Sequence, residues 1–170
     1  MTYQVVRVRK GKLSWLFEED PIDIVKIRNN LRNARPEDFE DKYLEVVAWA
    51  KKKDKSLDHD QIFRNAIILA AYLKVKGLNT SQLRKFLELA NRANLKFRNK
   101  LDIKADILKM QCILAYSTRN DGKDLHGPIN SLVAVLSPLL QTIGEKNFEK
   151  FYEFLQAVVA YHRFFGGRER

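Results

Sequence analysis

The sequence predicts an all-α protein, and two features carry that prediction. Only 7 glycines and 4 prolines occur among the 170 residues, which disfavours turn-rich β architectures. Long stretches repeat their apolar residues at spacings of three and four, the period of an amphipathic helix. With 45% apolar residues, the chain has enough material for one core. We therefore expect a single-domain bundle of five to six helices at residues 35–170, after an N-terminal arm and short helix at residues 1–34.

The first 34 residues differ from the rest in their pattern. Val5, Val6 and Val8 alternate with basic residues, which gives this stretch the character of a weak strand or an extended arm. The triplet Trp15-Leu-Phe17 requires an apolar surface to lie on, so we expect the arm to be anchored on the bundle. Residues 22–33 fit a short helix.

Two helices with clear start and stop signals follow the arm. Pro36 and the acidic residues after it begin the first, and the lysines around Lys53 end it, an order of charge that complements a helix dipole. Asp58 or Asp60 caps the second, which ends at Gly77. Asp58-His59-Asp60 could also suggest a metal site, but no distant Cys or Glu completes a coordination sphere. We expect helix caps there, with no metal and no cofactor.

Four more helices are predicted in the second half of the chain, with Thr80 as the N-cap of the first. Cys112 lies inside an apolar periodic stretch, which predicts a buried, reduced thiol. His162 lies on the apolar face of the last helix, which favours a hydrogen-bonded core residue over a metal ligand. The predicted helices span residues 81–100, 101–119, 129–143, with a bend at Pro138, and 146–165.

The chain shows no signal for export or membrane insertion. No run approaches the ~18 apolar residues that a membrane-spanning helix needs, and the start has no apolar leader segment. The single cysteine has no partner for an internal disulfide. These observations predict a soluble, cytoplasmic protein with no membrane partner.

The positive charge is concentrated in the middle third of the chain. The whole sequence carries 31 Lys and Arg against 21 Asp and Glu, a formal net charge of +10, and residues 61–119 carry 12 against 3. A basic excess of this kind favours a polyanionic partner such as a nucleic acid. The alternative is that these side chains only solvate helix faces, so their placement on the helices decides between the two.

The helix predicted at 81–100 separates its charges from its apolar residues. On a helical wheel its cations share one arc with serine and asparagine, opposite an apolar arc centred on Phe86 and Ala90. Because no aromatic residues are interleaved with the cations, we expect contact with a phosphate backbone rather than base reading. Together with the junction and the next helix, the predicted nucleic-acid contacts are Arg84, Lys85, Arg92, Lys96, Arg98, Lys100, Lys104, Lys109 and Arg119.

One pair of residues has the spacing of a ribonuclease motif. Six residues separate Arg119 from His126, as in HEPN-type ribonucleases, where Arg and His act on the scissile phosphate. Here His126 lies in a loop rich in helix breakers, and such a pair arises readily by chance. We expect no catalytic residues, and we keep a HEPN-like ribonuclease using Arg119 and His126 as the alternative. A protein–protein adaptor with incidental charge is a third reading.

Three blocks taken together resemble a known family. They are Leu78-Asn-Thr-Ser-Gln-Leu-Arg-Lys-Phe86, Leu108-Lys-Met-Gln-Cys-Ile-Leu-Ala-Tyr-Ser-Thr-Arg119, and Phe151 with Ala160-Tyr-His-Arg-Phe-Phe-Gly-Gly167. In this order they resemble the small subunit of the type III-A CRISPR effector, the Csm ribonucleoprotein, and the resemblance spans about residues 36–167. The small subunit of the Cmr complex is a less similar relative.

The resemblance implies a non-catalytic helical subunit that serves antiviral defence. It implies several copies stacked along the complex, in contact with guide RNA and target RNA and with the backbone and large subunits. Of the nine cations, Arg84, Lys85 and Arg119 match positions of the family blocks, whereas the other six rest on the helical wheel. The N-terminal extension exceeds what the family leads us to expect, and contact with a neighbouring subunit is one role for it.

Overall fold

A computed structural model describes residues 9–167, which form seven α-helices and no strand. The all-α prediction is therefore confirmed. Within residues 9–167, none of the helices has both the length and the apolar content that crossing a bilayer requires. The helices are α1 (Ile24–Asn30), α2 (Glu40–Lys51), α3 (His59–Val75), α4 (Thr80–Arg98), α5 (Lys104–Ser117), α6 (Pro128–Ile143) and α7 (Phe148–Phe164). Short 3₁₀ turns precede α1, α2 and α7 and follow α5.

The centre of the bundle is built by α3 and α7, which pack against each other. Most of the 17 residues of α3 are buried, because its sequence is apolar around nearly the whole circumference. From α7, Phe148, Phe151 and Phe154 are fully enclosed, and the ring of Trp49 on α2 lies 5.5 Å from that of Phe154. The apolar face predicted for the last helix is therefore buried.

The segment before α2 is joined to this core. Leu16, Phe17 and Ile27 are buried in the same apolar cluster as the bundle helices, as the anchoring prediction requires. The carboxylate of Asp41 on α2 accepts hydrogen bonds from the Gly11 amide, at 3.0 Å, and from the Ser14 hydroxyl. The valines of the expected extended arm lie outside the described residues.

The starts of α4 and α5 show why predicted helix boundaries differ from those of the structure. Asn79, not Thr80, caps α4, because the Asn79 side chain accepts the Gln82 amide at 3.0 Å while Thr80 is turned into the core. The helix expected from Leu101 starts at Lys104, because Lys100 adopts a left-handed backbone with φ of 59° and the chain must turn before α5. Where the sequence offers two neighbouring polar residues as caps, tertiary contacts decide which of them forms the cap.

The prediction that Cys112 is buried is also wrong, because its side chain is exposed. Helix α5 lies on the outside of the bundle and buries only Met110 and Leu114 of its own residues. Cys112 belongs to the opposite side of the helix. The apolar residues of α5 itself lie on several of its sides, so their periodicity did not indicate which side packs against the bundle.

Candidate nucleic-acid interface

The orientation of α4 decides whether its cations can meet a ligand. Its apolar side, with Leu83, Phe86 and Ala90, is buried in the bundle. Burial of that side turns the opposite face toward solvent, as the helical wheel predicts. All nine cations named from the sequence, from Arg84 to Arg119, are exposed.

The turn before α4 is fixed by a buried histidine of α7. His162 is fully buried, with Nε2 2.9 Å from the Leu78 carbonyl and Nδ1 3.1 Å from the Thr80 hydroxyl. A carbonyl only accepts, so Nε2 carries the proton and Nδ1 accepts from Thr80 in the neutral ring. Burial lowers the pKa of His162, and the charge of Lys74 lowers it further. The predicted hydrogen-bonded core histidine is confirmed, and it joins the start of α4 to the centre of the bundle.

Lys96 and Arg98 each form an ion pair with a neighbouring helix. Lys96 lies 3.1 Å from Oδ1 of Asp106 on α5, and Arg98 lies 2.9 Å from Oε1 of Glu149 on α7. Both basic side chains remain half or more exposed, at 50% and 61%. Exposed pairs of this kind are worth ~0–1 kcal/mol, so a phosphate group can compete for these cations.

Most of the other cations have no carboxylate partner in the structure. Within residues 9–167, five of them take part in no ion pair: Lys85, Arg92, Lys100, Lys104 and Lys109. Their charge is therefore directed to solvent and uncompensated at close range. This is the electrostatic condition for docking an anionic strand.

The nine cations are distributed along α4, the junction and the length of α5. The Lys96–Asp106 pair joins the last turns of α4 to the first turn of α5. Arg119 lies beyond the other end of α5, about 22 Å from Lys104 along the helix at 1.5 Å per residue. There its guanidinium stacks over the Tyr116 ring, 4.2 Å from the centroid. Cations spread over such a length suit an extended strand better than a small anion.

The ribonuclease alternative can be compared with the geometry around Arg119 and His126. The His126 amide donates to Asp124, and its carbonyl accepts the Lys76 ammonium at 2.7 Å. In the part of the chain that the structure describes, no hydrogen bond, ion pair or ring contact joins Arg119 to His126. The two side chains are therefore not assembled as a catalytic pair in this conformation.

The Asp58-His59-Asp60 cluster is explained by capping. The Asp58 carboxylate accepts the Gln61 amide at 2.8 Å at the start of α3, as the cap prediction requires. This hydrogen bond lowers the pKa of Asp58. Among the described residues, no three or more His, Cys, Asp and Glu side chains come together as ligands for a metal ion.

Sequence reasoning missed an apolar surface on the outer side of α5. Leu108 is 70% exposed and Tyr116 is 65% exposed, and Cys112 lies between them on the same helix face. Exposed clusters of large apolar side chains mark contact sites for other molecules. The available signal was the surplus of apolar residues on α5, which exceeds what one helix face can bury.

A comparison with protein families adds to this geometry. The model of the Csm2 Type III-A family matches residues 56–168, about two thirds of the chain. The chain belongs to the Csm2 Type III-A family. The Csm2 match includes all nine predicted contacts and helices α3 to α7, whereas α1 and α2 precede it. It confirms the small subunit of a type III-A CRISPR complex that the three sequence blocks indicate. No curated protein matches the chain.

Proposed function

We propose that this subunit binds the backbone of the guide RNA–target RNA duplex through the exposed cations of α4, the junction and α5. It does so as a non-catalytic part of the cytoplasmic complex that provides antiviral defence. The observation that carries the proposal is the exposure of all nine cations within the Csm2 region. Among the described residues no contact joins Arg119 to His126, which supports a role without catalysis.

The physical basis is the release of counterions from the RNA. Each phosphate that a Lys or Arg neutralises frees part of a condensed cation, so the affinity falls steeply with salt. Asn91 on α4 and Asn99 just after it are exposed beside the cations, where their side-chain amides can donate to phosphate or ribose oxygens. The Ser81 hydroxyl already donates to Asn79, and Asn99 keeps one amide hydrogen besides the one bonded to the Leu95 carbonyl. Such contacts position a strand without reading its sequence.

We also propose that copies of the subunit stack on one another through the outer face of α5. Leu108, Cys112 and Tyr116 give this face an apolar centre, with Lys104 and Lys109 on the same helix. An apolar centre beside charged side chains is a common arrangement in protein interfaces. Several stacked copies would also join their basic surfaces into a longer RNA-binding surface.

The RNA contact is tested by removing charge from cations without an ion-pair partner. The triple variant Lys85→Ala/Arg92→Ala/Lys104→Ala is reconstituted into the complex, and target RNA binding is measured across a salt series. We expect an affinity loss of about tenfold or more at low salt, and a log–log salt slope flatter by about 2. Both follow from three lost phosphate contacts.

A matched control removes three charges elsewhere. Lys51→Ala/Lys52→Ala/Lys53→Ala changes exposed lysines at the end of α2 and is expected to keep the wild-type slope. Assembly is checked by native mass spectrometry before binding is measured. If the α4–α5 variant assembles and binds target RNA as the wild type does at low and moderate salt, the proposed contact is wrong.

A further inference from the structure

A second basic site lies away from the α4–α5 surface. It is a cleft of about 340 Å³ between α1 and the C-terminal ends of α3 and α7. Arg28, Arg32 and Lys74 line it, together with Phe164 and Gly166, and no carboxylate is among the lining residues. Three cations around one concave space repel one another, and an anion bound between them offsets that repulsion.

One of the three cations is held in place by an aromatic ring. The guanidinium carbon of Arg28 lies 4.5 Å from the ring centroid of Phe164, and Phe165 packs edge-on against Phe164. A guanidinium stacked on an aromatic ring keeps its N–H donors at the edge of its own plane, where a ligand can accept them. Arg32 follows in the turn after α1 and lines the same cleft.

The carboxylates of the described N-terminal segment are engaged elsewhere. The acidic residues of the same segment each have other partners: Glu18 pairs with Lys10 and Lys42, Glu19 with Lys26, and Asp20 with Arg64, while Asp23 caps α1. Across residues 9–167, no ion pair joins Arg28, Arg32 or Lys74 to a carboxylate. The positive charge of the cleft is therefore not compensated within the described part of the chain.

Helix dipoles explain part of this arrangement but not all of it. Arg28 and Lys74 lie in the last turns of α1 and α3, where a cation interacts favourably with free carbonyl groups. This effect does not require the cations to converge on one cleft. It also does not apply to Arg32 in the same way, since α1 ends at Asn30.

We propose that this cleft binds a phosphate group, with Arg28 and Arg32 from the N-terminal segment and Lys74 from the bundle. The source we favour is an RNA strand of the complex, and in that respect the inference rests on the proposed function. The other source is a free phosphate ion or a small phosphate ester. Because Arg28 and Arg32 precede the Csm2 match at residues 56–168, the cleft combines that region with the segment in front of it.

The test for phosphate uses thermal unfolding of the full-length protein. Inorganic phosphate is compared with chloride at equal ionic strength, for the wild type and for Arg32→Gln/Lys74→Gln. We expect phosphate at ten times its Kd to raise the Tm of the wild type by about 4 °C, and the double variant to lose this rise. Lys52→Gln/Lys53→Gln removes the same charge from exposed positions and is expected to keep the rise.

Each result supports the site or overturns it. Absence of a phosphate-specific rise in the wild type, or an equal rise in the double variant, overturns the proposal. If the double variant has a lower Tm in chloride, the single variant Arg32→Gln replaces it, because this side chain is exposed and makes no ion pair in residues 9–167. The rise must then shrink in the single variant.

The source of the phosphate is decided with the reconstituted complex and target RNA. A weaker affinity and a flatter salt slope in Arg32→Gln/Lys74→Gln identify RNA, whereas an unchanged RNA affinity with a lost phosphate response identifies a free phosphate. The α4–α5 variant separates this inference from the proposed function, because it must keep the phosphate response while losing RNA affinity. If the α4–α5 variant keeps both the phosphate response and the RNA affinity, the proposed function is wrong, whereas the proposed phosphate site in the cleft is still supported.

Discussion

Helices α4 and α5 are neighbours in sequence and space, yet they use their apolar residues differently. In α4 the large buried residues Leu83 and Phe86 lie on one side, and cations occupy the other. In α5, Met110 and Leu114 are buried while Leu108 is 70% exposed on the opposite side. The bundle therefore satisfies the apolar face of α4 but leaves that of α5 without a partner among the described residues.

This difference separates two kinds of surface. The outer face of α4 is what electrostatic docking of a strand requires, because nothing apolar must be covered there apart from Leu95. Covering the outer face of α5 with another protein is favourable, because it removes apolar area from water. These are the two surfaces on which we propose that the subunit holds RNA and a neighbouring copy.

The largest expected effect on stability comes from a substitution on the buried side of α4. Phe86→Ala removes a side chain that is only 2% exposed, and we expect the free energy of unfolding to fall by about 3–5 kcal/mol. The matched change on α5, Leu108→Gln, is expected to alter stability by no more than about 0.5 kcal/mol. Urea unfolding followed by circular dichroism measures both changes.

The same α5 variant tests stacking. Native mass spectrometry of the assembled complex should count fewer copies of the Leu108→Gln subunit than of the wild type. A full copy number would show that the outer face of α5 is not the contact between copies. A loss of stability as large as that of Phe86→Ala would contradict the contrast between the two helices.

A smaller, pH-dependent effect concerns the start of α4. Burial keeps the pKa of His162 below its usual value of 6.5, so the unfolded chain takes up a proton more readily than the folded chain. The stabilising contribution of the neutral ring is complete above about pH 6.5 and declines as the pH falls toward the lower pKa of the folded state. We expect the Tm of the wild type to drop between pH 7.5 and pH 5.

The variant His162→Gln provides the comparison. It has no group that titrates in this range at the buried position, so its Tm should change less between pH 7.5 and pH 5 than that of the wild type. His59 and His126 are exposed and remain in both proteins, and they serve as an internal control. Parallel pH profiles of the two proteins would show that His162 does not carry the effect.

The smallest effect is expected at the ion pair between α4 and α5. Asp106→Asn removes the partner of Lys96 and an acidic residue from the first turn of α5. Because the pair is largely exposed, we expect a loss of less than about 1 kcal/mol in the free energy of unfolding. Target RNA binding should become tighter, since Lys96 is released and a negative charge is lost. Weaker RNA binding with an unchanged fold would contradict a role for Lys96 in contacting phosphate.

Sequence patterns predicted those features that depend on neighbouring residues. The exposed cations of α4, the Asp58 cap and the stop at Gly77, where φ is +88°, follow from helix periodicity and backbone preference. The core position of His162 followed from its place among apolar residues at helical spacing. In each case the information lies within about two turns of the residue concerned.

Other features needed the packed structure. The exposure of Cys112 depends on which side of α5 meets the bundle, and its own apolar pattern fits more than one side. The choice of Asn79 over Thr80 as the cap depends on His162, which is distant in sequence and takes the Thr80 hydroxyl. The basic cleft joins Arg28 to Lys74 and Phe164, so no local pattern contains it.

The sequence by itself determined the helical architecture, the membership in the Csm2 family and the polar face of α4, because periodicity and short motifs are local properties of the chain. Only the tertiary structure decided which side of α5 faces water and which cations converge between α1, α3 and α7. The physical reason is that burial is shared between helices: a side chain is inside or outside only relative to what packs against it, and that neighbour comes from elsewhere in the chain.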